Sequence, residues 1–263
     1  MSLTIGFIGY GAMASAIARG LVDAGVVVGG DIVACAAHYD ALAERAAALG
    51  VRPLHSAVEV ASAADVVVVA VKPHQVEEVV GPLAHELAAP GRFVVSIAAG
   101  WTLERYRALF GETEVHVQCT IPNTPMEVGQ GVLIAEAAHT LTDEQTATFE
   151  RMFEAIGLIE RVDTAHMDIA MTIAGCGPAF ADMFLEALGD AGVKHGLKRA
   201  TAYRLAAKMI EGVGALQLAT GAHPGVMKDA VCSPGGTTIK GVACLEENGF
   251  RGAVIKAVDA IVG

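Results

Sequence analysis

The chain has 263 residues, of which 53% are hydrophobic and 18% charged, so it holds enough apolar material for one large core or two modest ones. This composition excludes a disordered protein, and the formal net charge of −11 argues against nucleic acid or an anionic membrane surface as a partner. No apolar run approaches the roughly 18 residues of a membrane span, and the N-terminus lacks a signal-peptide pattern. These features predict a cytoplasmic protein with no nucleic-acid or membrane partner.

The cysteines and histidines are spaced without a recognisable ligand pattern. Five cysteines are present, an odd number, and none forms a C-x-x-C pair. This predicts free thiols in a reducing compartment. The nine histidines show no H-x-x-x-H spacing, so we expect no metal site.

The first motif lies at the start of the chain. A short apolar run at residues 5–8 ends in Gly9-x-Gly11-x-x-Ala14, and an alanine-rich segment follows at residues 15–24. Strand, glycine turn and helix in this order are typical of a dinucleotide site. Gly9 permits the tight turn, Gly11 lets the backbone approach a pyrophosphate, and Ala14 keeps the helix close to the strand. The alternative is a glycine-rich turn that binds no ligand.

The first 162 residues alternate between strand and helix patterns, which predicts a Rossmann-type, doubly wound and mainly parallel sheet. Further strands are predicted at residues 31–36, 66–71, 92–97, 114–119, 131–135 and 157–162. After residue 162 only helical periodicity follows, at residues 163–171, 180–191, 198–218 and 252–262. We therefore predict two domains, a dinucleotide-binding domain at 1–162 and an all-helical domain at 163–263.

The end of the second strand bears on cofactor choice. NAD-binding sites usually place an acidic residue there, but this chain has Ala36 and Ala37, and no acid before Asp40. This predicts NADP(H) as the preferred cofactor, with NAD(H) open. No arginine stands at this point to bind a 2′-phosphate. His38 is either a phosphate ligand or a solvated loop residue.

Further loops follow predicted strands at the sheet edge where ligands bind in such folds. Lys72-Pro73 follows the valine-rich strand, and the small residues 98–100 would let a flat ring approach the backbone. Asn123 lies in a stiff loop between two prolines. The alternatives are that Lys72 is an exposed turn residue and that Asn123 is a turn former.

Two turns stand out in the helical half. Gly175-Cys176-Gly177-Pro178 introduces a helix, and its thiol is either a nucleophile or, the simpler reading, a small buried group. Residues 232–238, Cys-Ser-Pro-Gly-Gly-Thr-Thr, introduce another helix whose free N–H groups form a carboxylate-binding geometry. The alternative for this second turn is an ordinary helix start capped by Ser233 or Thr237.

These separated motifs together closely resemble the pyrroline-5-carboxylate reductase family over essentially the whole chain. The resemblance implies NAD(P)H-dependent reduction of 1-pyrroline-5-carboxylate to L-proline, the last step of proline biosynthesis. It also implies an interwoven homodimer formed through the helical domain, which can assemble into rings of dimers. The active site would then lie between the cofactor domain of one subunit and the helices of its partner.

The same resemblance implies roles for individual residues. Gly236, Thr237 and Thr238 would bind the substrate carboxylate, and the Thr238 hydroxyl would face the ring nitrogen as the catalytic group. Cofactor contacts are implied for Ile8, Gly9, Tyr10, Gly11, Ala12, Met13, Ala70, Val71, Lys72, Pro73, Ile97, Ala98, Ala99 and Asn123.

Two other functions compete with this one. One is another NADP-dependent oxidoreductase of the same two-domain plan, acting on a 3-hydroxy acid or a related imine. The expected catalytic lysine is absent from the turn that carries Pro178-Ala179-Phe180, which counts against a 3-hydroxy acid. The other is a non-catalytic nucleotide-sensing protein, against which the threonines of the substrate loop count.

Overall fold

The computed structural model describes residues 3–263, and the chain divides into two compact units after Gly175. The first unit carries one sheet covered by helices, and the second unit is all-helical. The expected fold class, a Rossmann-type sheet followed by a helical domain, is confirmed. The predicted domain boundary after residue 162 stays a prediction.

The sheet has eight strands. They are β1 (Ile5–Ile8), β2 (Ile32–Cys35), β3 (Arg52–Pro53), β4 (Val66–Val69), β5 (Phe93–Ser96), β6 (Val117–Pro122), β7 (Gly131–Glu136) and β8 (Gly157–Val162). Their order is β3-β2-β1-β4-β5-β6-β7-β8. All neighbouring pairs are parallel except β6 and β7, which are antiparallel. The expected mainly parallel sheet is therefore confirmed.

Helices connect most strands of the first unit, and one further helix follows the last strand. They are α1 (Ala12–Asp23), α2 (Tyr39–Ala47), α3 (Ala57–Ala63), α4 (Val76–Val80), α5 (Ala84–Leu87), α6 (Leu103–Phe110), α7 (Asp143–Glu154) and α8 (Met167–Met171). Two of them begin at threonine caps. The Thr102 hydroxyl accepts a hydrogen bond from the N–H of Arg105 at 3.4 Å, and Thr142 exchanges bonds with Gln145 in a capping box.

The alternating side chains of the central strands build two cores. In β4, Val66 and Val68 face one helical layer, while Val67 and Val69 face the other, and all four are fully buried. Successive side chains of a strand point to opposite faces of a sheet, so a strand covered on both faces must be apolar throughout. This explains why β4, within the strand predicted at residues 66–71, is a run of four valines.

The structure differs from the predictions at several places of this unit. Strand β3 was not predicted. Strand β6 begins at Val117 and continues to Pro122, whereas a strand was predicted at 114–119. Its last three residues pair with β7, so a contact between distant residues extends the strand. Helix α3 was not predicted, although Ser56 caps it by accepting from the N–H of Glu59 at 3.2 Å.

The second unit consists of helices. They are α9 (Gly177–Lys194), α10 (Arg199–Thr220), α11 (Pro224–Ala230), α12 (Thr237–Glu247) and α13 (Phe250–Val262). The turn at Gly175-Cys176 was predicted to introduce a helix with Pro178 in its first turn, and α9 begins there, at Gly177. A π-helical turn at Thr172–Cys176, which was not predicted, leads directly into α9, and the Cys176 thiol is half-buried. A π-helical turn within a helix often marks a functional site.

Helices α11, α12 and α13 contain no buried residue. The helical stretch Thr164–Lys194 is apolar and long enough to cross a membrane, by length and composition only, and just 6% of its most apolar window is buried. This overturns the expectation that the chain holds no such segment. Core helices of soluble proteins can be as long and apolar as this one, but they are mostly buried, whereas this stretch is not. The second unit therefore exposes a large apolar surface as a single chain.

Candidate active site

The turn between β1 and α1 is shaped by Gly9. Its φ of 93° lies in the left-handed region, and a Cβ at this position would lie 2.7 Å from the carbonyl oxygen of Ala70. The N–H of Gly9 donates to the carbonyl of Cys35 at 2.9 Å. Only glycine fits here, because the turn must pass tightly between the ends of β2 and β4.

Gly11 has a different environment. Its backbone is extended (φ −86°, ψ −167°), and a Cβ here would meet nothing within 4 Å. Helix α1 starts at the next residue, with no side-chain cap and no acidic residue in its first turn. The first amides of α1 therefore face open space with an unbalanced positive dipole end. This arrangement fits the pyrophosphate of a dinucleotide.

Neighbouring loops gather beside this turn because of the strand order. The chain moves outward from β1 to β3 and then returns on the other side of β1 as β4. The carboxyl edge at this reversal is where ligands bind in open α/β sheets. The N–H of Ala70 donates to Ile8 at 2.8 Å, and that of Ile97 donates to Val69 at 3.0 Å. These bonds set the loops after β1, β4 and β5 side by side.

All fourteen predicted cofactor residues belong to the first unit. Ile8 ends β1, and the others lie on the loops and helix start that follow β1, β4, β5 and β6. Their exposure differs, and it limits which of their atoms a cofactor could contact. Ile8, Tyr10, Ala98 and Asn123 are buried; Gly9, Met13, Ala70, Val71 and Ile97 are half-buried; and Gly11, Ala12, Lys72, Pro73 and Ala99 are exposed. Burial raises the pKa of the Tyr10 hydroxyl, which therefore stays neutral.

The side chain of Asn123 is tied into the protein. Its oxygen accepts from the N–H of Val132 at 2.8 Å, and its nitrogen donates to the carbonyl of Ala174 at 3.0 Å. The carboxamide therefore joins the end of β6 to β7 and to the π-helical turn. A contact of Asn123 with a cofactor stays a prediction, and its side chain has little hydrogen-bonding capacity left for it.

A cation that the sequence analysis missed lies against the β1–α1 turn. One guanidinium nitrogen of Arg45, on α2, donates to the carbonyl oxygen of Tyr10 at 2.8 Å. No acidic side chain follows β2 at Ala36 or Ala37, as the sequence showed. The sequence did contain this cation, since Arg45 lies in α2, the helix directly after β2. It was missed because it is not adjacent to the end of β2 in the sequence.

The loop before α12 belongs to the second unit. Gly235 has a φ of 69°, and the N–H of Gly236 donates to the carbonyl of Ser233 at 3.0 Å. Gly236 is the N-cap of α12, and no side chain caps this helix. The alternative of an ordinary cap by Ser233 or Thr237 is therefore wrong.

The Gly236 amide is already used, so the first amides of α12 are those of Thr237 and Thr238. Within residues 3–263, neither threonine hydroxyl has a hydrogen-bond partner, and both residues are exposed. Amides at a helix start together with free hydroxyls can bind a carboxylate and one further polar atom.

Comparisons with known proteins agree with this arrangement. A family model described as NADP oxidoreductase, coenzyme F420-dependent, matches residues 4–100, and one described as pyrroline-5-carboxylate reductase dimerisation matches residues 164–263. Pyrroline-5-carboxylate reductase from Treponema pallidum is 43% identical to the chain, with 98% of each chain covered. The Escherichia coli enzyme is 39% identical over 98% of this chain and 95% of its own.

A solved structure shares the whole fold. The crystal structure of Plasmodium falciparum pyrroline carboxylate reductase with NADP bound has a TM-score of 0.85 and 30% identity, and the match covers 98% of this chain and 95% of that one. Sheet, glycine turn and helical unit define an oxidoreductase that combines a dinucleotide-binding domain with a dimerisation domain. The identity along nearly its full length shows that the chain belongs to the pyrroline-5-carboxylate reductase family.

Proposed function

We propose that the protein reduces 1-pyrroline-5-carboxylate to L-proline and prefers NADPH to NADH. The observation that carries this proposal is the start of α12, an uncapped helix start with two free threonine hydroxyls, in the unit that matches the pyrroline-5-carboxylate reductase dimerisation model. The first unit fits the cofactor, because the space at Gly11 is open and α1 begins there without a cap. When bound, the dihydronicotinamide supplies the hydride that adds to the carbon of the C=N bond.

The residues of this chain would bind and orient the reactants. The amides of Thr237 and Thr238 bind the substrate carboxylate, and the Thr238 hydroxyl accepts a hydrogen bond from the protonated ring nitrogen. A protonated imine accepts hydride more readily than a neutral one, so holding this proton at nitrogen favours the reaction. The small residues Ala98 and Ala99 leave room for a flat ring. Orientation of this kind contributes about 7–11 kcal/mol in favourable systems.

The Thr238→Ala variant tests the catalytic assignment. We expect kcat for pyrroline-5-carboxylate reduction to fall about 10- to 100-fold, because a hydrogen bond to a charged group contributes about 1.5–3 kcal/mol. The measurement is NADPH oxidation at saturating substrate. Thr238→Ser keeps the hydroxyl and should retain most of the activity.

Thr237→Ala serves as the matched control, since it keeps the amide of residue 237 and removes only the neighbouring hydroxyl. Full activity of Thr238→Ala would remove this hydroxyl from the mechanism. Lack of turnover by the wild type with both NADPH and NADH would overturn the proposed function itself. Turnover of a 3-hydroxy acid instead would favour the alternative oxidoreductase.

For the cofactor preference, we propose that Arg45 faces the 2′-phosphate of NADPH. The adenosine ribose of a Rossmann site lies between the glycine turn and the end of the second strand. Arg45 contacts this turn through the Tyr10 carbonyl, and its other N–H groups are available for a phosphate. No acidic side chain at Ala36 or Ala37 would repel the phosphate.

The Arg45→Gln variant is expected to raise KM for NADPH about fivefold, since a partly exposed ion pair contributes about 1 kcal/mol. KM for NADH should stay unchanged, because NADH has no 2′-phosphate. Arg107→Gln, an exposed arginine on α6, is the control for net charge. An equal effect on both cofactors would show that Arg45 only supports the turn.

We also propose that the protein is a cytoplasmic homodimer, or a ring of such dimers, without a nucleic-acid or membrane partner. The match to a dimerisation family model and the apolar surface of the second unit support self-association. The five cysteines are all free, which agrees with a reducing compartment. We assign residues 163–263 to the dimerisation domain, a division supported by the family match that begins at residue 164.

A further inference from the structure

We propose that Trp101 is a positioning residue that fixes the separation of two cofactor-facing turns, the turn at residues 70–73 after β4 and the turn at residues 97–100 after β5. This inference rests on the proposed function, which places both turns against the cofactor. Trp101 is the only tryptophan of the chain and is just 5% exposed. Neither the motifs nor the fold class assigned it a role.

Trp101 bonds to both turns directly. Its indole Nε1 donates to the carbonyl oxygen of Pro73 at 2.9 Å, and its backbone N–H donates to the carbonyl of Ala98 at 3.2 Å. Sheet hydrogen bonds join β4 and β5 only as far as Ser96, and the N–H of Ile97 reaches back to Val69. Beyond that point, the indole bond connects the two turns.

A hydrogen-bonded chain fixes the inner side of the indole. The ring packs against Tyr106, with centroids 4.9 Å apart. The buried Tyr106 hydroxyl donates to the Ser96 hydroxyl at 2.8 Å, which in turn accepts from the N–H of Ala98 at 3.3 Å. Burial raises the pKa of Tyr106, so its hydroxyl keeps the proton that it donates. The ring thus rests on a group tied to the second turn.

Arg105 fixes the outer side. Its guanidinium carbon lies 4.1 Å from the centre of the Trp101 ring, a cation–π arrangement. One guanidinium nitrogen also donates to the carbonyl of Gly100 at 2.9 Å. The indole therefore contacts both Arg105 and Tyr106, and these contacts hold it where its N–H meets the Pro73 carbonyl.

Loss of the indole donor should affect the position of the turn at 70–73 more than the stability of the protein. The carbonyl of Pro73 also accepts a hydrogen bond from the N–H of Val76, so it keeps a partner once the indole donor is removed. No buried polar group is then left without a partner, which is the usual source of a large loss of stability. The turn at 70–73 would gain freedom instead, and the cofactor would have to order it on binding.

The test compares NADPH affinity of the wild type, Trp101→Phe and Phe110→Leu by isothermal titration calorimetry without substrate. Trp101→Phe keeps an aromatic ring and removes the donor, and we expect about fivefold weaker binding together with a lower Tm, because the smaller ring leaves part of the buried indole site empty. Phe110→Leu removes a ring that stacks on Tyr106, with centroids 5.8 Å apart, and that belongs to α6 and to neither turn. We expect this control to lower Tm and to leave the NADPH affinity unchanged.

A second variant of Trp101 removes the N–H donor without changing the size of the ring. Replacing Trp101 with benzothienylalanine keeps the shape of the indole and puts sulfur where the N–H stood, so it should weaken NADPH binding as Trp101→Phe does. Wild-type affinity in both Trp101 variants would overturn the positioning role while leaving the proposed function intact. Failure of the wild type to bind NADPH would instead overturn the cofactor assignment on which it rests.

Discussion

The Gly11→Val variant is expected to fold normally and to bind NADPH about a hundredfold more weakly, a loss of about 2.8 kcal/mol. Valine suits the extended backbone at this position, and a Cβ here would meet nothing within 4 Å. The protein therefore loses no packing. The branched side chain would fill the open space before α1, where the pyrophosphate must approach the backbone closely.

The measurement is NADPH titration by calorimetry, with Tm as the check on folding. Gly30→Val is the matched control, because Gly30 also has open space around its Cβ position and an ordinary φ, but lies before β2. Gly9→Ala, unlike Gly11→Val, is expected to impair folding as well as binding. Its Cβ would clash with the carbonyl of Ala70, so it should lower Tm as well as affinity. Wild-type NADPH affinity of Gly11→Val would show that no pyrophosphate binds at this turn.

Features encoded by neighbouring residues were predictable from the sequence. The glycine turn, the threonine caps of α6 and α7, and the doubly buried β4 depend on residue types a few positions apart. Such signals act locally, because a cap or a tight turn makes its hydrogen bonds within one helical turn. The fold class followed from their order along the chain.

Contacts between distant residues were not predictable in this way. Strand β6 reaches Pro122 because β7 pairs with its second half, and no residue near Pro122 signals that pairing. The carboxamide of Asn123 could equally have faced solvent or a ligand. Its bonds to Val132 and Ala174 join residues 9 and 51 positions away. Register and side-chain direction of this kind appear only once the chain is folded.

In the candidate site, too, residues in local patterns were predictable from the sequence, whereas residues that act through distant contacts were not. The glycines and threonines were recognisable by their types and order, but Arg45 and Trp101 were not. Each reaches the site through one side-chain bond to a backbone carbonyl, that of Tyr10 or Pro73. A backbone carbonyl is the same for every residue type, so the sequence gives no sign of the partner. These two residues offer the clearest tests of what the structure adds.

The Met183→Glu variant is expected to convert the protein from the proposed dimer to a monomer of 27.0 kDa and to abolish activity. Met183 on α9 is 71% exposed in the single chain and lies in an apolar groove with Phe184, Leu245 and Phe250. Monomeric proteins rarely expose apolar patches of this kind. Burial of one methionine side chain contributes about 1.5–3 kcal/mol, and an unpaired carboxylate in its place costs several more.

Loss of the dimer should also affect helices away from Met183, because α11, α12 and α13 bury no residue within the single chain. Without a partner these helices lack a core, so the amides and hydroxyls at the start of α12 would lose their fixed positions. Val128→Glu is the matched control, since Val128 is 73% exposed but belongs to the first unit. The measurements are sedimentation, which gives the oligomeric state, and NADPH oxidation, which gives the activity. A fully active Met183→Glu variant that sediments as a dimer would show that this groove is not the dimer interface.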